Sequence, residues 1–170
     1  IPDLSIYAKA LAGGFSLAAV AGKRELFDAL RDGTTMHAGT YNGATINLAA
    51  GLATLEVLSG TPGIYENMSE HGRTLRKTFE DEGRERGIAL STSGAGTVFN
   101  VHLGHETAPT DYRGYAGVDI DAYTRFRRAM LEGGLQLLPD GRWYIGATHG
   151  PDELATAQEA IRNTIGKLKA

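Results

Sequence analysis

Two helical stretches meet across Gly60-Thr61-Pro62, and they are built on opposite plans. From Thr45 to Leu58 the apolar residues fall on two stripes, with Ile46, Ala49, Ala53 and Val57 on one and Leu48, Leu52 and Leu55 on the other. A helix that is apolar on most faces asks to be buried. Residues 63–86 instead gather Ile64, Met68, Leu75 and Phe79 on one face and place Glu, Arg and Lys opposite. That is the pattern of a helix lying on the outside of a core. Gly60 and Pro62 stop the first helix. The change of plan predicts a domain boundary near Gly60, dividing the chain into 1–60 and 61–170.

Before the boundary, residues 4–11 read as a short strand or strand-to-turn segment ended by Gly13-Gly14. Residues 16–21, SLAAVA, read as a small-residue buried strand, and a short helix is expected at 24–30. Residues 33–43 form a polar loop with turn signals at Gly39 and Asn42-Gly43. Beyond the boundary the pattern is strand, strand, helix, strand, helix. Phe99, Val101 and Leu103 alternate with Asn100 and His102, the period of a half-buried strand. Ile120, Tyr123, Phe126 and Met130 mark a helix with Asp119 as its cap and Gly133 past its end. Leu135–Leu138 and Trp143–Ala147 read as strands around a turn at Asp140-Gly141. The last helix follows Leu154, Ala157, Ile161, Ile165 and Leu168, with Pro151 in its first turn. Asp152 and Glu153 suit its positive end, and Lys167 and Lys169 its negative end.

Composition narrows the function classes. The 170 residues are enough to bury a real core. Net charge is −3, and the 17 basic residues are dispersed, which argues against nucleic acid or an anionic membrane as the main partner. With no cysteine, disulfides and thiolate metal sites are excluded, and a reducing compartment is compatible with this. No apolar run reaches the roughly 18 residues of a membrane span. The 23 glycines include the pairs Gly13-Gly14 and Gly133-Gly134, placements that suit sharp turns and close approaches.

Three segments could carry chemistry. Lys9 stands in an apolar stretch and is followed by Gly13-Gly14. An amine is nucleophilic only when uncharged, and apolar surroundings disfavour the charged form. Gly39-Thr40 offers a backbone amide and a hydroxyl just before a helix, both good phosphate donors. Arg142, near a strand start, has the planar fork that holds a carboxylate, or it is a solvated turn residue. His149 reads as a turn-bonding histidine. His102, His105 and Glu106 fit no strong zinc spacing, and a solvated strand end is expected there, with no metal.

The segment Asp-x-x-x-x-Ala-Lys-x-Leu-Ala-Gly-Gly, residues 3–14, resembles the lysine segment of class III aminotransferases, including glutamate-1-semialdehyde aminomutases. These are fold-type I enzymes dependent on pyridoxal 5'-phosphate. SLAAVAGKRELFDAL continues the resemblance. It implies an α/β fold: the C-terminal part of the cofactor-binding large domain from the lysine onward, then a small α+β domain with a mostly antiparallel sheet. It implies that Lys9 forms the Schiff base and later carries the proton, and that Gly39 and Thr40 bind the cofactor phosphate of the neighbouring subunit in a homodimer. It implies amino and keto acid substrates, with Arg142 as the candidate carboxylate holder. The aminomutases resemble one another in a glutamate near this point, which is absent here, so the resemblance favours a transaminase. Where the family often has Asn-Pro after the Gly-Thr pair, this chain has Asn42-Gly43-Ala44.

In the family, the phosphate loop, the stacking aromatic ring and the carboxylate facing the pyridine nitrogen all precede the lysine. Only eight residues precede Lys9. The expectation is therefore a C-terminal part of a cytoplasmic enzyme for amino-group transfer. The alternative is a catalytically incomplete piece acting as an oligomerisation or interaction module.

Overall fold

A computed structural model of the chain describes residues 1–168. It divides into two compact units, Ile1–Pro62 and Gly63–Ala170.

The first unit opens with strand β1 (Leu4–Tyr7). A single 3-10 turn, Lys9–Ala12, separates it from strand β2 (Ala19–Gly22). The two strands pair antiparallel, with Leu4 opposite Gly22 and Tyr7 opposite Ala19. A 3-10 turn at Arg24–Phe27 runs into the short helix α1 (Asp28–Arg31), and the long helix α2 (Thr45–Gly60) follows the polar loop. Two expectations fail here. The strand read as buried is exposed along its whole length. Helix α2, apolar on most faces, is also largely exposed, with Ile46 at 70% and Leu52 at 61%. Within this unit the available cover is small. A two-stranded ribbon and two short turns cover only one stripe of α2, at Gly51, which is buried beside Ala12 and Leu17.

The second unit builds its own core. Helix α3 (Ile64–Arg86) leads into strands β3 (Leu90–Ala95) and β4 (Val98–Leu103). A one-turn helix α4 (Tyr112–Tyr115), capped by Asp111, has no signal in the apolar pattern. Helix α5 (Ile120–Glu132), strand β5 (Arg142–Tyr144) and helix α6 (Pro151–Lys167) complete the unit. The expected cap holds: Asp119 accepts from the Ala122 amide at 2.8 Å. The sheet is antiparallel with order β3-β4-β5. Leu135–Leu138, read as a strand, forms no ladder among the described residues, and β5 begins at Arg142 and ends at Tyr144, short of Ala147. Lys169 lies outside the described residues.

Helices α3, α5 and α6 and one sheet face enclose Phe79, Phe99, Phe126, Trp143, Ile161 and Ile165. The Trp143 ring meets Phe79 edge-on at 5.1 Å and stacks on Phe99 at 5.4 Å. Each such aromatic, fully buried, contributes about 2–3 kcal/mol of transfer free energy. Arg76 and Glu80, one turn apart on α3, both bond the Thr92 hydroxyl and pin the helix to β3. Gly72 permits the closest approach: a Cβ there would stand 2.0 Å from the Gly96 carbonyl oxygen.

Candidate active site

Lys9 sits where β1 ends. Its φ is +55°, the one non-glycine residue in the left-handed region among the described residues. For an L-residue this conformation costs about 1–2 kcal/mol. Ala8 before it is extended, and the chain then closes a 3-10 turn through Leu11 N–H to Ala8 O (3.2 Å) and Gly13 N–H to Ala10 O (3.2 Å). Gly13 and Gly14, at φ +58° and +106°, turn the chain again without side-chain conflict. Ala12, 1% exposed, docks this turn on α2, where Gly51 leaves room for it. The Asn47 side-chain amide, also on α2, donates to the Ser16 carbonyl at 2.6 Å. A rigid helix thus holds the lysine turn at two points.

The Lys9 side chain is exposed at the edge of an open hollow of about 590 Å³, lined also by Ala10, Gly13, Gly14 and Phe15. The apolar neighbours seen in the sequence therefore do not enclose it within this unit. Glycine-lined space beside a primary amine fits a bulky group held covalently at Nζ.

Gly39 and Thr40 occupy a turn closed by Asn42 N–H to Gly39 O at 3.0 Å, followed by a second from Ala44 N–H to Tyr41 O at 3.1 Å. Both residues are exposed. Neither lines the Lys9 hollow. Their loop instead reaches a second hollow through Tyr41 and Ala44, which shares Gly14, Phe15 and Ser16 with the first. Thr40 and Lys9 line no common hollow.

Arg142, in the second unit, is exposed but fully engaged. Its Nε donates to Asp140 Oδ2 at 2.7 Å, its Nη2 lies 2.5 Å from the same oxygen, and its Nη1 donates to the Tyr144 hydroxyl at 3.2 Å. This guanidinium holds the Asp140 carboxyl below the usual carboxylate range. The sequence reading missed these partners. The signal was present in the period of two, which places Arg142 and Tyr144 on one sheet face. A carboxylate ligand at Arg142 has to displace Asp140.

The histidines divide. His149 accepts from the Gly146 amide through Nδ1 at 3.2 Å and bonds its own turn. His102, expected at a solvated strand end, is only 4% exposed. Its Nε2 lies 2.7 Å from Ser93 Oγ, and its ring meets His105 and Tyr115 edge-on. The segment after β4 folds back over it, which the strand pattern alone does not reveal. Burial, then the nearby His105, hold its pKa below the ordinary 6.5. Among the described residues, no three metal-binding side chains converge.

A lysine turn on a helix platform, followed in the chain by a small antiparallel α+β unit, is the arrangement that the resemblance to a fold-type I enzyme implies. Residues 1–168 match the family model of class III aminotransferases, and the chain belongs to that family. It is similar to a glutamate-1-semialdehyde 2,1-aminomutase of Nitrosospira multiformis, 32% identical over 93% of this chain and 38% of the relative. An omega-transaminase from Sphaerobacter thermophilus superposes with a TM-score of 0.88 at 25% identity, over 99% of this chain and 39% of that one. A transaminase solved with PLP bound superposes with a TM-score of 0.82 at 25% identity, over 98% and 38%. The chain thus spans about two fifths of the length of these relatives. No helix among the described residues is long and apolar enough to cross a membrane.

Proposed function

We propose that this chain supplies the covalent lysine and the small domain of a pyridoxal-phosphate-dependent enzyme for amino-group transfer between amino and keto acids. The observation that carries the reading is Lys9, an exposed amine beside a glycine-lined hollow, held in a left-handed backbone conformation. Strain of this kind persists only where surrounding structure imposes it, and it gathers at functional sites. Family membership and a relative solved with PLP bound support the same reading.

When bound, pyridoxal phosphate supplies an electron sink for charge developing at the substrate carbon. Lys9 Nζ is the nucleophile that would hold it; free, the same nitrogen would carry the proton between substrate and cofactor. Gly39 and Thr40 donate to the phosphate in the site of a second subunit, consistent with their absence from the lining of the Lys9 hollow. The assembly is a homodimer acting in the cytoplasm. Arg142 holds the substrate carboxylate after Asp140 gives way. Unit one corresponds to the end of the large domain, and the chain from α3 onward to the connecting helix and small domain.

The test is direct. The protein is mixed with pyridoxal phosphate, reduced with borohydride, digested and mapped by mass. The adduct is expected on Lys9 and absent in Lys9→Arg digests at that peptide. Labelling spread over surface lysines with Lys9 spared rejects the assignment.

A further inference from the structure

Asn42-Gly43, where this chain departs from the Asn-Pro frequent in the family, carries an inference beyond amino transfer. Gly43 has φ +75°, a conformation that strains any side chain. Proline, fixed at about −65°, cannot take it. The turn therefore requires glycine after Asn42. Both residues are exposed. The Gly43 N–H has no acceptor among the described residues, and the Asn42 carboxamide makes no hydrogen bond among them.

This setting pairs a free carboxamide carbon with an unhindered amide nitrogen one residue on. Once deprotonated, the Gly43 nitrogen attacks Asn42 Cγ. The new C–N bond closes a succinimide ring, and the side-chain nitrogen takes up a proton and leaves as ammonia. Water then opens either ring carbonyl. One opening gives aspartate; the other gives isoaspartate, with the main chain routed through the former side-chain carbon. No oxidant or cofactor is consumed, and the solvent supplies the water. The other asparagines lack the setting. Asn47, Asn67 and Asn163 stand inside α2, α3 and α6, whose amides donate along the helix. Asn100 precedes Val101, whose N–H is held by the Gly141 carbonyl at 3.2 Å.

We infer that Asn42 is a self-modifying site, converted by Gly43 and water into a carboxylate. A Cβ at Gly39 would stand 2.8 Å from Asn42 Oδ1, so the Asn42 side chain already folds back over Gly39. In the aspartate product a negative charge takes that place. In the isoaspartate product the main chain gains an atom inside the turn from Ala44 N–H to Tyr41 O, and that turn opens. Where Gly39 and Thr40 donate to a phosphate, the new charge repels it. That consequence rests on the phosphate reading proposed above; the chemistry at Asn42 does not.

The full 170-residue chain is incubated at mildly alkaline pH in water enriched in oxygen-18, then digested and mapped by mass. The peptide holding Asn42 is expected to lose ammonia and gain one heavy oxygen. Conversion should be about tenfold faster than at Asn67 or Asn163, whose following amides are bonded. The rate should rise with pH, because the attacking nitrogen must lose its proton. In Asn42→Asp, the Gly39 amide signal should shift as the new carboxylate titrates near pH 4, a shift absent from the unmodified chain. Conversion no faster at Asn42 than at Asn67 or Asn163 overturns the proposal. So does an intact Asn42 under conditions that convert the free peptide Tyr-Asn-Gly-Ala. A Gly39 signal that ignores the new carboxylate overturns the placement of the charge. The mapping needs no cofactor, so a failed phosphate reading leaves its result standing.

Discussion

Helices α2 and α3 are separated by three residues and meet opposite fates. Helix α2 is the more apolar, yet Leu48, Leu52, Leu55 and Val57 stay exposed. Helix α3 is nearly half charged, yet Leu75 and Phe79 are buried in the core. Hydrophobic pattern states what a helix can bury; the partner surface within each unit sets how much of it is buried there. The C-terminal unit has three helices and a sheet around one aromatic cluster and closes on itself. The N-terminal unit has a ribbon and a few turns for one sixteen-residue helix. The proposed catalytic lysine sits on the second kind of unit.

Four measurements break or sharpen this contrast. The largest effect is expected from Phe79→Ala, which should lower the stability of the C-terminal unit by about 3–5 kcal/mol in urea unfolding. Leu52→Ala on α2 should stay within about 0.5 kcal/mol. A loss at Leu52 matching that at Phe79 breaks the contrast and shows another surface covering α2.

The second measurement uses pH. Burial pushes the Tyr123 phenol up to about 12 from 10.0. Between those values the unfolded chain loses the proton that the folded chain keeps, so stability falls by on the order of 2 to 3 kcal/mol as pH rises. On the acid side His102 does the reverse. Its folded pKa is depressed, so its contribution is present above pH 6.5 and is lost as pH falls from there toward the folded value. Tyr123→Phe should flatten the alkaline limb and His102→Gln the acid limb of the stability profile. Limbs unchanged by either variant would contradict the burial of both groups.

Third, two glycines on the two helices should respond differently to alanine. At Gly72 the new methyl meets the Gly96 carbonyl oxygen, backbone that cannot move aside, and about 1–3 kcal/mol should be lost. At Gly51 it meets the Leu17 Cδ2 tip at 2.6 Å, a flexible end, and better helix propensity offsets the conflict. Thermal melting separates the two. Equal losses would mean that the lysine turn is packed as tightly as the core.

The smallest effect concerns Lys9 itself. Glycine adopts φ +55° freely and alanine does not. Lys9→Gly should therefore be more stable than Lys9→Ala by about 1 kcal/mol in a thermal melt. Equal stability would show that the left-handed turn relaxes when the lysine side chain is removed.

Much of the fold was legible. The helix stripes at Ile64–Phe79 and Ile120–Met130 became α3 and α5, and the alternation at Phe99–Leu103 became β4. The Asp119 cap and Pro151 at the first turn of α6 stand as local chemistry dictates. The readings that failed share a cause. The second strand and α2 look buried because composition cannot show how little packs against them. Leu135–Leu138 has strand-like composition but no neighbour to pair with. His102 looked solvated because the covering segment with Tyr115 lies thirteen residues further on. At the site, the sequence marked Lys9, Gly39, Thr40 and Arg142 as separate candidates but could not place them relative to one another.

By itself, then, the sequence determined the family, the candidate lysine and the change of helical plan at Gly60. These depend on residue identity, spacing and local backbone preference. Tertiary structure alone decided that Lys9 adopts a left-handed turn docked on α2 and that Asp140 occupies Arg142. It also decided that Tyr144 turns its backbone groups away from β4. Each of these is set by contacts or ladder parity between segments, and no local propensity encodes such partners.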